Sequence, residues 1–367
     1  MKGRTFVRKV LFAVNVIFAL GLLASSSAHF IDPNIFLLPS FFGIAFLPFL
    51  ILNMIGFIFW LFAKIRNSWL SLVAVLLSIP SINHHFAYGN PSESLDHEIK
   101  VMTYNVRLFD LYNWSSNKQT RDLLLGYFSK EDADIICLQE FFNSNDKKYF
   151  NTLDTLLKVQ KATYVHADYT AKLYKGKSQF GIATLSRFPI VNKQLIKLDT
   201  AGHNIAVYSD IKTDQGIIRV FNVHLASVHL SGMEKDLNDH IEQQDQEKQW
   251  NDLKIMSSKL AGGFKKRAKQ ADVIRAEIEQ SPYPVVVCGD FNDTPGSYAY
   301  HTIKGDLKDA FIKKGKGIGA TYIGFIPTLR IDYTLSDSNF TIGSFEQKNI
   351  RLSDHKPLVT KLALKAR

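Results

Sequence analysis

Little in this chain fixes a fold by covalent or compositional means. Among 367 residues there are two cysteines, Cys137 and Cys288, too few for a disulfide scaffold and without the spacing of a zinc motif. Both sit in apolar runs, DIICLQE and VVVCGDF, where a thiol behaves as a small hydrophobe; a bridge between them requires that their strands be neighbours. Internal repeats and low-complexity tracts are absent, and 46% hydrophobic with 21% charged residues excludes intrinsic disorder and collagen-like classes. A strong field of one sign is also missing. The net charge is +10, but residues 1–90 carry Lys2, Arg4, Arg8, Lys9, Lys64 and Arg66 against Asp32 alone, which leaves only +5 for all that follows. Such a balance demands no large nucleic-acid-binding surface.

Charge is missing altogether from residues 10–28 and 35–63. At 1.5 Å per residue each run is long enough to cross about 30 Å of hydrocarbon. A third run, 68–82, is shorter and spans with help from His84, His85 and Phe86 at the interface. Residues 1–88 therefore read as an all-α membrane anchor with three transmembrane helices. The basic start and the small residues at 24–28 resemble a cleaved leader, yet further apolar runs follow directly. The basic residues at 2–9 and at 64–66 mark the inside, and the 29–34 loop lacks Lys and Arg. Three spans then put the remainder outside, on the periplasmic side of a bacterial inner membrane; if 68–82 only lies on the surface, the remainder is inside.

After a polar linker at 89–98 the texture changes to short β-rich runs alternating with polar helical segments, the pattern of one α/β domain over 99–367. The expected strands are IKVMTYNVR, DIICLQE, GIATLS, IAVYSDI, IIRVFNVHL, PVVVCGDF, RIDYTLS and LVTKLAL, with helices at 118–130, 145–158 and through 233–280. Several of these runs end in polar residues: Asn105, Glu140, Asn222 with His224, Asp290 with Asn292, Asp332, and Ser353, Asp354 and His355. Singly, each is an ordinary turn former or helix cap. Jointly, they are how a sheet delivers several ligands to one crevice. Oxygen donors suit a hard cation such as Mg²⁺ that keeps room for water and phosphate, and histidines without cysteine companions suit phosphate binding and proton transfer. Metal-assisted phosphoester hydrolysis follows.

The ordered motifs YNVR, LQE, NVHL, GDFN, IDYTL and SDH resemble the endonuclease/exonuclease/phosphatase superfamily, metal-dependent phosphodiesterases that include deoxyribonucleases, abasic-site endonucleases, inositol phosphatases and neutral sphingomyelinases. The resemblance covers residues 99–364. It implies a four-layer α/β sandwich, two mixed β-sheets face to face with helices outside and the site at one end. It also implies roles. Glu140 would be the principal Mg²⁺ ligand (Mn²⁺ being the alternative ion), with Asn105 beside it and Asp354 in support. His224 would donate to the scissile phosphate, Asp290 and Asn292 would bracket the attacking water, and Asp332 would orient His355. Either Asp290 or His355 would be the general base.

Other residues stand near these motifs. Arg107 and Asp110 adjoin Asn105; Gln179, Gly181 and Arg187 lie on a run expected to line the crevice; Trp114, Tyr298, Tyr300, Tyr322 and Phe325 lie in expected loops. Lys265, Lys266, Arg267 and Lys269 form a basic cluster on the long helical stretch, read as a solvated face or an arch over the site. The expected activity is hydrolysis of a phosphodiester, of nuclease type first, with a phospholipid or sphingomyelin headgroup as the alternative substrate. The bilayer is the other expected partner, and no protein partner is inferred.

Overall fold

The computed structural model describes residues 2–146, 151–198, 204–228, 246–324, 326 and 328–365. Its amino-terminal helices have inverted polarity. They are α1 (Lys2–Ser27), α2 (Leu38–Ile44), α3 (Phe46–Ala63), α4 (Ile65–Leu77) and α5 (Ile79–His85). Asn15, Asn53 and Ser71 are buried between them, while Phe62 is 88% and Ile17 62% exposed. Asn53 Nδ2 donates to the carbonyls of Phe18 and Phe49, both at 2.8 Å, and Ser71 Oγ donates to Asn15 Oδ1 at 3.0 Å. Polar groups inside and apolar groups outside suit a lipid surround, where interhelical hydrogen bonds replace the hydrophobic drive.

Thr5–Phe30 and Phe46–Ala63 are each long and apolar enough to cross a membrane, and α4 with α5 makes a third span if their 56° bend is one crossing. Proline sets both breaks. The ring of Pro48 collides with a helical carbonyl four residues back, at Ile44, where α2 ends. Pro80 does the same to Leu76 near the end of α4. The run 35–63 is thus two helices and not one.

The rest of the chain is built on two six-stranded sheets. In order across the first are β13 (Phe340–Gln347), β14 (Leu358–Leu364), β2 (Ile99–Asn105), β3 (Ile135–Ser144), β5 (Ser178–Ser186) and β4 (Tyr164–Leu173). Across the second are β10 (Lys308–Asp309), β12 (Asp332–Ser336), β9 (Val285–Asp290), β8 (Gly216–His224), β7 (Ile205–Thr213) and β6 (Ile190–Ile196). Central strands read as unbroken apolar runs because both of their faces are covered. Val101, Ile135 and Cys137 of the first sheet meet Val220, Val286 and Cys288 of the second. Outside, α6 (Thr120–Glu131) and α7 (Thr152–Gln160) cover the first sheet through Leu124, Phe128 and Leu156. On the second lie α8 (Gln246–Glu279) and α9 (Tyr298–Lys304), through Ala271, Ile274 and Ile303. This is the expected four-layer sandwich, and all eight expected strands are in it.

The edges differ from expectation. Strands β4, β6 and β13 end the sheets or lie next to an end, and β6 is exposed along most of its length, so its sequence carries no buried run to betray it. The helix expected at 145–158 begins at Thr152, and the start of the stretch 233–280 lies outside the described residues. The 89–98 linker is a strap. Ala87–Tyr88, as β1, pairs with β11 (Lys316–Gly317), Gly89 N–H donates to Gly315 O (2.9 Å), Asn90 Nδ2 donates to Lys313 O (2.8 Å), and Lys314 Nζ donates to Pro91 O (2.8 Å). Cys137 and Cys288 are free, buried thiols that meet between the sheets.

Candidate active site

The two sheets share one device. Each has a central parallel pair, β2–β3 and β8–β9, so that Asn105, His224 and Asp290 arrive at the carboxyl ends of their strands, and Glu140 at the point within β3 where its pairing with β2 stops, all on the same edge of the sandwich. Antiparallel β12 starts where β9 finishes, pairing Asp332 with Asp290. Close approach of β8 and β9 dictates Gly289. Its φ is +145°, and a Cβ there would stand 2.0 Å from Val223 O.

Strain places two of the polar groups. Glu140 has φ +47° at a register shift between Leu138 and Phe141, a bulge that turns its carboxylate out of the sheet. Asn292 has φ +51°, and is held there by its backbone N–H to Asp290 Oδ1 (2.8 Å) and by Nδ2 to Leu225 O (3.1 Å).

Asp290 is the hub. Its Oδ2 accepts from Asn105 Nδ2 (3.0 Å) and Asn292 Nδ2 (3.2 Å), and lies 3.8 Å from His224 Nε2 and 3.7 Å from His355 Nε2. Asn105 Nδ2 also reaches Glu140 Oε1 at 3.2 Å. His355 Nδ1 is 2.9 Å from Asp332 Oδ2, and Asp332 is fixed in turn by its own N–H and that of Ile331, both donated to Thr321 Oγ1. His224 Nε2 is buried without a hydrogen-bond partner, aimed into the gap between Glu140 and Asp290.

These contacts polarise the titratable groups. Burial pushes the Asp290 carboxyl up, Asp332 adds to this, and the imidazoles of His355 and His224 oppose it. Burial works against a charged His355, but the carboxylates of Asp332 and Asp290 outweigh it and hold the imidazole up at about 10. The two carboxylates thus favour the charged form of His355.

Asp354 stands apart from the hub. Its carboxylate faces Arg107 Nε at 3.3 Å and accepts from Ser353 Oγ, which also donates to Asn105 O. Arg107 itself lies 4.7 Å over the ring of Trp114, which packs edge-on against Tyr112. Tyr322 reaches the site, its ring 5.4 Å from that of His355. Other candidates do not. Tyr300 is core and donates to Asp309, Tyr298 donates to Asp272, Arg187 pairs with Asp132 and Asp134, Asp110 closes a local turn with Ser115, and Gly181 sits at a β4–β5 bulge. Phe325 lies outside the described residues. Asn222 is buried between the sheets, where its amide meets Gln139 Nε2, Ala183 O and Thr184 Oγ1. Arg267 is no part of a solvated face: it is buried against Asp293 at 2.8 Å, behind the loop that carries Asn292. Thr321 and Arg267 act through partners distant in sequence, and no local signal marks them.

A cation fits this arrangement. Asp290 and Asp332 offer carboxylate oxygens close together, half-exposed Glu140 adds another at the mouth, and His355 could offer Nε2 only after losing its proton.

The amino-terminal helices touch the sandwich beside this site. Arg330, two residues before Asp332, donates to His84 O at 2.7 Å. Gly43 of α2 meets Gly296, where a Cβ would lie 3.2 Å from the Gly296 carbonyl. The rings of His29 and His301 stack at 3.9 Å, with His84 at 4.6 Å from His301.

Comparison with known proteins agrees with the geometry. A model described as the Endonuclease/Exonuclease/phosphatase family matches residues 102–355, and one described as a domain of unknown function matches residues 8–85. No curated protein matches. Among solved structures, the endonuclease/exonuclease/phosphatase from Bacteroides vulgatus superposes with a TM-score of 0.52 at 18% identity, over 73% of this chain and 99% of that one. The human Nocturnin catalytic domain with bound sulfate anion gives 0.51 at 18%, over 74% and 96%. A mannosyl-6-phosphatase of Bacteroides thetaiotaomicron gives 0.50 at 18%, over 72% and 100%.

Proposed function

The chain belongs to the Endonuclease/Exonuclease/phosphatase family of phosphoester hydrolases, and from that premise we propose that it is a membrane-anchored, Mg²⁺- or Mn²⁺-dependent phosphodiesterase. The convergence of Asn105, His224, Asn292 and His355 on one oxygen of Asp290 carries this reading. Glu140 and Asn105 would hold the ion, with Asp354 joining them as Arg107 turns to the phosphate. Bound there, the ion would polarise the phosphoryl oxygens and offset charge growing on them. The chain's own groups do the rest. Asp290 orients the attacking water and takes its proton. Asn292 fixes the carboxylate. His224 Nε2, with no partner of its own, donates to a phosphate oxygen. Cationic His355, steered by Asp332, donates a second hydrogen bond and neutralises charge.

The seam bears on topology and substrate. The catalytic domain touches His29 and Asn34 in the segment between α1 and α2, Gly43 in α2 and His84 at the end of α5. These are the membrane-face ends opposite Lys64 and Arg66. This supports three crossings with the site outside, on the periplasmic side of a bacterial inner membrane. It also favours a lipid-borne phosphodiester, because the loop after Asn292 and the segment before Asp332 both rest on the anchor. The exposed Tyr112 and Trp114 beside Arg107 favour a second reading, a nuclease that stacks bases at its rim.

The test is hydrolysis by the full chain in lipid vesicles, with Mg²⁺, Mn²⁺ or EDTA. Sphingomyelin, phosphatidylinositol, plasmid DNA and RNA are offered side by side. Headgroup release that stops with EDTA and returns with Mg²⁺ is the expected result. DNA or RNA cleavage alone would select the nuclease; turnover that survives EDTA would overturn the metal.

A further inference from the structure

Only part of α8 is needed by the sandwich. Its buried residues begin at Gly263 and run to Ile278, whereas residues 246–262 contain none that is fully buried. That upstream half is not simply polar. Trp250 is 74% and Leu253 44% exposed, and at 100° per residue Trp250, Leu253, Leu260 and Phe264 fall on one face.

Phe264 shows where that face points. Its ring meets Phe41 of α2 edge-on at 5.4 Å, and the carbonyl of the next residue, Lys265, accepts from Asn34 in the turn between α1 and α2. The same turn displays Phe30 and Ile35, 78% and 85% exposed, side chains that belong in the boundary of a bilayer. From Phe264 back to Trp250 the apolar stripe continues for about 21 Å at 1.5 Å per residue, on the face of the helix that Phe264 turns to α2. Lys254 and Lys265, both exposed, flank it along one edge. Their stems can lie on the stripe while the ammonium groups sit at phosphate level.

We propose that residues 250–265 of α8 lie on the outer surface of the bilayer as an interfacial helix, with Trp250 and Leu253 in the headgroup–acyl boundary and Lys254 and Lys265 on anionic lipid phosphates. This rests on the reading of residues 1–88 as a membrane anchor. The consequence is positional. Two residues further on, Arg267 of the same helix holds Asp293 and donates to Ala226 O at 3.0 Å, so the helix that meets the lipid also sets the height of the Asn292 loop above it.

The experiment uses the full chain in vesicles of phosphatidylglycerol and phosphatidylcholine. An environment-sensitive fluorophore is attached at Leu253→Cys or, on the opposite face, at Ile255→Cys; Cys137 and Cys288 are buried, and the unsubstituted chain controls for their labelling. Lipids carrying a shallow doxyl quencher should dim the probe at 253 several-fold more than at 255. Lys254→Glu with Lys265→Glu should weaken that quenching in the phosphatidylglycerol vesicles. Equal quenching at both positions, in protein that resists carbonate extraction, would overturn the surface helix and leave the anchor standing. So would a probe at 253 shielded from both doxyl lipid and aqueous iodide, since another protein surface would then cover the stripe. Extraction of the whole chain by carbonate would overturn both readings.

Discussion

His355 and His301 are both packed imidazoles, and the structure treats their protons in opposite ways. In the crevice, His355 faces Asp332 at 2.9 Å and Asp290 at 3.7 Å and is held protonated, up at about 10. At the seam, burial first and then the neighbouring His29, His84 and Lys304 push His301 down to about 2. The nearby carboxylate, Asp309, is already engaged by Arg330 and by the hydroxyl of Tyr300. One residue type thus does two jobs, because the charges around it differ. In the crevice His355 is kept charged for phosphate; at the seam His301 is kept neutral so that it can stack.

The division predicts that activity and stability can be separated. Asp290→Asn keeps the shape of the hub and removes its charge, and should cut hydrolysis by about a thousand-fold or more while the melting temperature moves by only a few degrees. Full turnover by this variant would displace the hub from the mechanism. Arg330→Met at the seam should do the reverse. It leaves Asp309 buried without its ion pair, at a cost of about 3–5 kcal/mol, read as a lower melting temperature of the full chain in detergent. Turnover per folded molecule below that temperature should persist. Loss of activity without loss of stability would mean that the seam belongs to the catalytic machinery.

The subtlest test is pH. His301, depressed to about 2 from an ordinary 6.5, contributes stability that is complete above 6.5 and is lost as pH falls below it. His355, raised to about 10, contributes stability that is complete below 6.5 and is lost as pH rises through about 10. In protein stripped of metal by EDTA, His301→Asn should therefore flatten the acid limb of the stability curve and His355→Asn the alkaline limb. A swap of the two effects would break the comparison.

The crevice was far more legible than the seam. Asn105, His224 and Asp290 each close a buried, largely apolar strand, and Glu140 follows the apolar run at the start of β3; a polar group at the end of such a run is visible without a structure. Asn222 has the same local signature but points between the sheets, because the inward or outward choice depends on sheet packing. Arg267 sits in a basic cluster that looks solvated, and only the fold brings Asp293 against it. The edge strand β6 escaped because its residues are exposed and follow no buried pattern. Helices α2 and α3 read as one run, since hydropathy counts composition and not the carbonyl that Pro48 displaces.

Periodicity and charge, properties of neighbours along the chain, determined the uncharged runs at 10–28 and 35–63, the α/β texture after residue 98 and the order of polar strand ends. Those are local quantities, so the amino-acid order alone carries them. Tertiary structure decided that Asp290 is the hub, that Asp354 faces Arg107, and that His29, His84 and His301 form the joint between the amino-terminal helices and the sandwich. These groups are separated by tens to hundreds of residues, and their chemistry depends on which charges lie within a few ångströms, a distance that only the folded chain defines.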